Sequence, residues 1–81
     1  MIKSQNVVGP AIRRIRYQKG WTQEVLAAKL TTLTGWDISR GTLSKIEAGL
    51  RCVTDEEIMC FAKALAVKID DLFPKRTRNG Q

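Results

Sequence analysis

The sequence predicts an all-α fold, on three observations. No stretch sustains the period-two alternation, rich in β-branched residues, that marks a half-buried strand. Apolar residues recur instead at spacings of three and four, and each such stretch is bounded by a capping residue or a glycine. The 81 residues are 43% apolar and 27% charged, which suits one folded domain with a small core and is too apolar for a disordered basic tail. The pattern predicts a compact bundle of five helical segments, with a core over residues 7–73 and a flexible basic tail over 74–81.

The first segment covers residues 7–19, where Val8, Ile12 and Ile15 share a face and Gly20 supplies the stop. Pro10 is tolerated because it falls in the first turn. The second opens at Thr22 as N-cap, with Glu24 in the first turn where the helix dipole favours an anion, and Leu26, Leu30 and Leu33 line one side as far as Gly35. The third spans residues 39–48, with Ser39 as N-cap and Gly49 beyond its end. The fourth opens with the capping box Thr54 to Glu57 and carries Ile58, Phe61, Ala62 and Leu65 inward. A last helical turn over 69–73 ends before Pro74 and lays Ile69, Leu72 and Phe73 over the core.

Charge is distributed unevenly. The chain has 14 Lys and Arg against 8 Asp and Glu, no His, and a net charge of +6, which points to a polyanionic partner. Residues 1–51 alone reach +6, residues 52–73 are net −3 and the tail from Pro74 adds +3. The N-terminal two-thirds is therefore the cationic part. No apolar stretch approaches the roughly 20 residues that span a bilayer, and no signal core is visible near Met1, so a soluble, cytoplasmic protein is expected with no membrane association. Cys52 and Cys60 with no His offer at most two soft ligands where a structural zinc site wants four, so no metal and no cofactor are expected and the thiols are read as reduced. An enzyme is not expected either. The sequence lacks a Gly-rich phosphate loop and shows no Ser or Cys beside an evident general base.

Segments two and three are organised as a helix-turn-helix. At 100° per residue, Ser39, Thr42, Leu43 and Ile46 fall within an arc of about 100°, and Arg40, Gly41, Ser44, Lys45 and Ala48 fall within an opposite arc of about 140°. One side packs, and the other is small, polar and cationic. Such a face suits the DNA major groove, where Arg or Lys can bond the O6 and N7 acceptors of guanine. A solvated charged face is the ordinary alternative. Gly41 argues against it, because a mid-helix glycine costs up to about 1 kcal/mol relative to Ala and close approach to a partner would justify it.

Residues 12–73 resemble the Cro and phage-repressor type of helix-turn-helix domain, the xenobiotic-response-element family with its lambda-repressor-like fold. The resemblance rests on IRRIRYQKGWTQEVLA, ISRGTLSKIEAG and FAKALAVKIDDLFP, in that order and at the family's spacings. It implies sequence-specific binding of double-stranded DNA by a transcriptional regulator, a repressor, that reads the major groove with residues 39–48. It implies that Gln23 contacts a phosphate or an adjacent base, and that Arg40, Gly41 and Lys45 read bases with Ser39 and Ser44 beside them. Arg51 matches a phosphate-contacting position, with Arg13, Arg14 and Lys19 as weaker candidates. Arg16 and Glu47 match a partly buried ion pair that ties the first helix to the end of the reading helix.

The chain departs from the family between Ala27 and Ile38, where AKLTTLTGWD replaces a shorter connection. Either the second helix is about a turn longer or the connection is looped out, and Trp36 is expected to pin this region to the core rather than to stack on bases. Lys68 stands where the family has a Ser or Asp cap, so the last turn is expected to fray. No effector domain is recognised, which places any signal outside this domain. A single module of this size covers little DNA, so a homodimer is expected, with Leu72, Phe73 and Met59 as contact candidates. A different class of function remains open on the same fold: an antitoxin or protein-interaction module with a protein partner, for which Met59 and Cys60 would form an accessible soft patch.

Overall fold

The computed structural model describes residues 6–74. These residues form α1 (Gly9–Gln18), α2 (Gln23–Thr34), α3 (Arg40–Glu47) and α4 (Asp55–Leu65), closed by a 3₁₀ turn, Ile69–Leu72. The fifth segment is thus a single 3₁₀ turn, and four α-helices replace the five expected. Four residues between Lys68 and Phe73 cannot close a full set of α-helical hydrogen bonds.

Local chemistry sets most of the ends. Thr22 Oγ1 accepts the Val25 N–H at 3.2 Å, Ser39 Oγ accepts the Thr42 N–H at 3.1 Å, and Thr54 with Glu57 completes a capping box at 3.1 Å in both directions. At α1 the N-cap position, Val8, has no side chain able to accept. Asn6 takes the role from further upstream, its Oδ1 accepting the Gly9 N–H at 2.6 Å. The 3₁₀ turn lacks a cap from the Lys68 side chain, but the Asp71 carboxylate accepts the Lys68 N–H at 3.1 Å.

The long connection after Ala27 resolves into extra helix. α2 runs for 12 residues and stops at Gly35, whose φ of 79° is the left-handed conformation that a Cβ disfavours. The added turn runs past the packed stripe, so Leu33, expected inside, is 45% exposed. Beyond Gly35 the chain turns back. Trp36 sets its ring edge-on to Phe61 with centroids 5.5 Å apart, and Thr31 Oγ1 donates to the Trp36 carbonyl at 3.0 Å.

Val8, Ile12, Leu26, Leu30, Leu43, Ile46, Phe61, Leu65 and Leu72 form the centre of the core. α2 packs most extensively on α4, and α3 is held between α1 and α2. α1 approaches the end of α3 closely, because a Cβ on Gly9 would collide with the Ile46 carbonyl. Of the three residues expected over the core from the last turn, only Leu72 is buried, and it is withdrawn as an interface candidate; Ile69 and Phe73 are exposed instead, as is Met59. Cys52 and Cys60 are not joined by a disulfide. No helix among the described residues is long and apolar enough to cross a membrane.

Candidate nucleic-acid interface

The outward side of α3 is built from the residues that packing leaves over. Leu43 and Ile46 are completely buried, which fixes the rotation of the helix and turns Arg40, Gly41, Ser44, Lys45 and Ala48 to the surface. Ser39, the N-cap, is exposed as well. Nothing in the fold requires the missing Cβ at Gly41: one placed there would meet only Ser39 Oγ, at 3.9 Å. The helix therefore carries the propensity cost of glycine without an internal steric reason.

Glu47 ends α3 and is only 5% exposed, as is Arg16. The Arg16 guanidinium donates through Nε and Nη2 to the two Glu47 carboxylate oxygens at 2.7 and 2.9 Å, and through Nη1 to the Trp21 carbonyl at 2.8 Å. The bond to Glu47 raises the Arg16 pKa further, against the opposing effect of burial. This bidentate arrangement satisfies both charges away from water. Glu47 also accepts from Gln23 Nε2 at 3.1 Å. Gln23, at the start of α2, is thereby oriented by the last residue of α3, with its amide oxygen and second N–H left for another partner.

Two contacts were not legible in the sequence. Arg40 Nε lies 3.2 Å from Glu24 Oε2, and both side chains are about two-thirds exposed. Arg51 donates to both Glu57 oxygens at 3.0 Å and to the Cys52 carbonyl at 3.1 Å. The guanidinium holds the Glu57 carboxyl below the usual range, helped less by the Thr54 N–H and opposed by burial. Arg51 is thus committed to the first turn of α4 and presents a charge that Glu57 largely neutralises. Asn6 was also missed. Its Nδ2 donates to the Ile46 carbonyl at 3.2 Å and to the Arg51 carbonyl at 2.8 Å, tying the end of α3 to the start of α1. The only sequence signal was an Asn three residues before Gly9, and the Val-Val between them disguised it.

Arg13, Arg14 and Lys19 of the first helical segment are exposed. Lys19 and Lys29 both lie over the Trp21 ring, at 5.2 and 4.9 Å from its centroid. Among the described residues no group of three or more His, Cys, Asp or Glu is placed to hold a metal ion.

A helix-turn-helix family, HTH_3, matches residues 12–72 of the chain. Among solved structures, the chain is similar to the restriction-modification controller protein C.AhdI from Aeromonas hydrophila, with a TM-score of 0.67 and 30% identity over 85% of this chain and 96% of that one. Comparison with curated proteins finds no match. The family match spans α2, α3 and their supports, and the chain belongs to the HTH_3 helix-turn-helix family of sequence-specific DNA-binding transcription regulators.

Proposed function

We propose that the protein is a homodimeric transcriptional repressor of the controller type, which places the outward face of α3 in the major groove of duplex DNA. The carrying observation is that Arg40, Gly41, Ser44 and Lys45 are turned to the surface together, because Leu43 and Ile46 are buried on the opposite side. Arg40 and Lys45 supply donors for guanine O6 and N7, and Ser39 and Ser44 supply short hydroxyls for neighbouring bases or phosphates. Gly41 lets the helix backbone come close. Gln23, oriented by Glu47, contacts the phosphate beside the N-terminus of α2. Arg51 contributes to phosphate binding only weakly, since Glu57 already takes its two parallel donors.

The controller assignment comes from the likeness to the restriction-modification controller protein, which extends over nearly all of that chain. The dimer follows from size: one such module buries too little DNA surface for useful affinity, and two copies on half-sites about one helical turn apart supply it. Regulation by occupying the DNA needs no catalytic group.

Selection of bound duplexes from random DNA, run beside a sizing measurement of the protein alone and of the complex, tests this reading. A paired motif with regular half-site spacing, bound by two copies, is the expected result. Failure to enrich any motif would sink it, and a stable heteromeric complex with another protein would favour an antitoxin or interaction role instead.

A further inference from the structure

The start of α1 abuts the end of α3. A Cβ on Gly9 would meet the carbonyl oxygens of both Ile46 and Glu47, so the first turn of α1 rests on the last carbonyls of the reading helix. The two helix ends are complementary, because the free N–H groups of one and the free C=O groups of the other carry opposite partial charges. Asn6, half-buried at this junction, is matched to both. Its Oδ1 accepts the Gly9 N–H at 2.6 Å, and its Nδ2 donates to the Ile46 carbonyl at 3.2 Å and to the Arg51 carbonyl at 2.8 Å.

A carboxamide offers an acceptor and a two-proton donor in one plane. A carboxylate of the same shape would keep the bond to Gly9 but set a negative charge against two carbonyl oxygens. A serine hydroxyl can accept from Gly9 as an ordinary helix cap does, but it is too short to span both carbonyls.

The second tie between these helices is the Arg16 and Glu47 pair, at 2.7 and 2.9 Å. Asn6 precedes the first turn of α1 and Arg16 lies in its last, about 15 Å further along the axis. α1 thus grips the end of α3 at two places, through the Glu47 side chain and through the Ile46 backbone. One tie locates that end, and two fix its direction. The Arg51 carbonyl brings the chain leaving α3 into the same clamp. The other end of α3 is held by different means, the buried Ile38 ahead of it and the Ser39 cap.

We propose that Asn6 is a positioning residue for DNA reading. It sets the exit of α3, and through it the direction in which Lys45, next to the clamped Ile46, meets the bases. Arg40, five residues and about 7.5 Å nearer the start of the helix, is directed by its own end instead. A residue outside the helix-turn-helix thereby governs one part of the readout. The inference rests on the α3 reading given above.

The test compares the full chain with Asn6→Ser and Asn6→Asp, both of which keep an acceptor for the start of α1. Binding is measured on the selected duplex and on its single-base variants, well below the melting temperature. Asn6→Ser should narrow discrimination at the base pairs that Lys45→Ala also affects by roughly three- to tenfold, the effect of one lost hydrogen bond. At the pairs affected by Arg40→Ala it should stay within about twofold of wild type. Asn6→Asp should give the same pattern with a larger loss. Asn6→Ser should also be non-additive with Lys45→Ala and additive with Arg40→Ala. Circular dichroism shows which variants are folded at the binding temperature, and either of the two decides. Wild-type base preferences beside a lowered melting temperature would make Asn6 a residue of the fold alone and overturn the proposal, as would a loss spread evenly over all base pairs. If Lys45→Ala and Arg40→Ala both leave the preferred bases unchanged, the α3 reading itself has failed, and the role of Asn6 falls with it.

Discussion

Glu24 and Arg40 meet across the helix-turn-helix, with carboxylate and guanidinium 3.2 Å apart and both groups open to solvent. The pair joins the first turn of α2 to the first residue of α3. An exposed pair of this kind stabilises a fold by at most about 1 kcal/mol. Its weight lies in placing an anion next to the proposed base-reading side chain, where it competes with phosphates for the guanidinium and repels a backbone that approaches without the right base.

Glu24→Gln should therefore loosen discrimination rather than the fold. The expected outcome is a melting temperature within a few degrees of wild type, with affinity for random duplex rising about two- to fivefold, in keeping with the small energy of an exposed pair, and a smaller ratio of cognate to random affinity. Equilibrium binding to both duplexes at one salt concentration measures it, and an unchanged ratio would count against the role given to Glu24.

The buried Arg16 and Glu47 pair should behave in the opposite way. Replacing Glu47 by Ala leaves the Arg16 charge inside without its partner and costs on the order of 3 to 5 kcal/mol, whereas replacing both residues by apolar ones of similar size costs far less. Denaturant unfolding of the two single variants and the double variant decides this. Additive losses would show that the two groups do not depend on each other.

Two glycines give a contrast in one experiment. At Gly41 an added Cβ has room, so Gly41→Ala should raise stability by up to about 1 kcal/mol while lowering DNA affinity. At Gly9 the same Cβ meets the Ile46 carbonyl, and the forced separation of α1 from α3 should cost about 1 to 3 kcal/mol. Thermal melts of both variants with a binding isotherm for Gly41→Ala provide the readout. Wild-type affinity in Gly41→Ala would remove the close-approach argument.

Acid should weaken the link between the α3–α4 loop and α4. Glu57 is held below its usual pKa in the folded protein, first by the Arg51 hydrogen bonds. Its contribution is thus fully present above the unfolded value, about 4.3, and is lost as pH falls through the lower folded value. Glu57→Gln or Arg51→Ala should flatten stability against pH in that acid window. At neutral pH each should cost on the order of 1 kcal/mol, discounted because Arg51 is about a third exposed. Arg51→Ala should also reduce the salt slope of DNA binding by clearly less than one, because little of its charge is uncompensated. A full unit of slope would restore Arg51 as a primary phosphate contact.

Local rules make much of the architecture legible in the sequence. Thr22, Ser39 and Thr54 announced three helix starts because a cap acts on amides two or three residues away, and Gly35 announced a stop for an equally local reason. The outward face of α3 followed from helical period alone once Leu43 and Ile46 were taken as buried. Leu33 failed because periodicity says which side of a helix is apolar and not how far the core extends beneath it.

The all-helical class, the order of the elements and the side of α3 that faces outward are thus written locally in the sequence, since each depends on neighbours within a turn or two. The sequence did not determine which charges are spent on one another. Arg16 finds Glu47 at a separation of 31 residues, Asn6 reaches Ile46 across 40, and Arg51 turns to Glu57 instead of standing open. Among the described residues Arg13 is left without a carboxylate by the same folding. Only tertiary structure decides such pairings, because a charge's partner is set by which helices pack together, and the surplus that can meet DNA is what those pairings leave over.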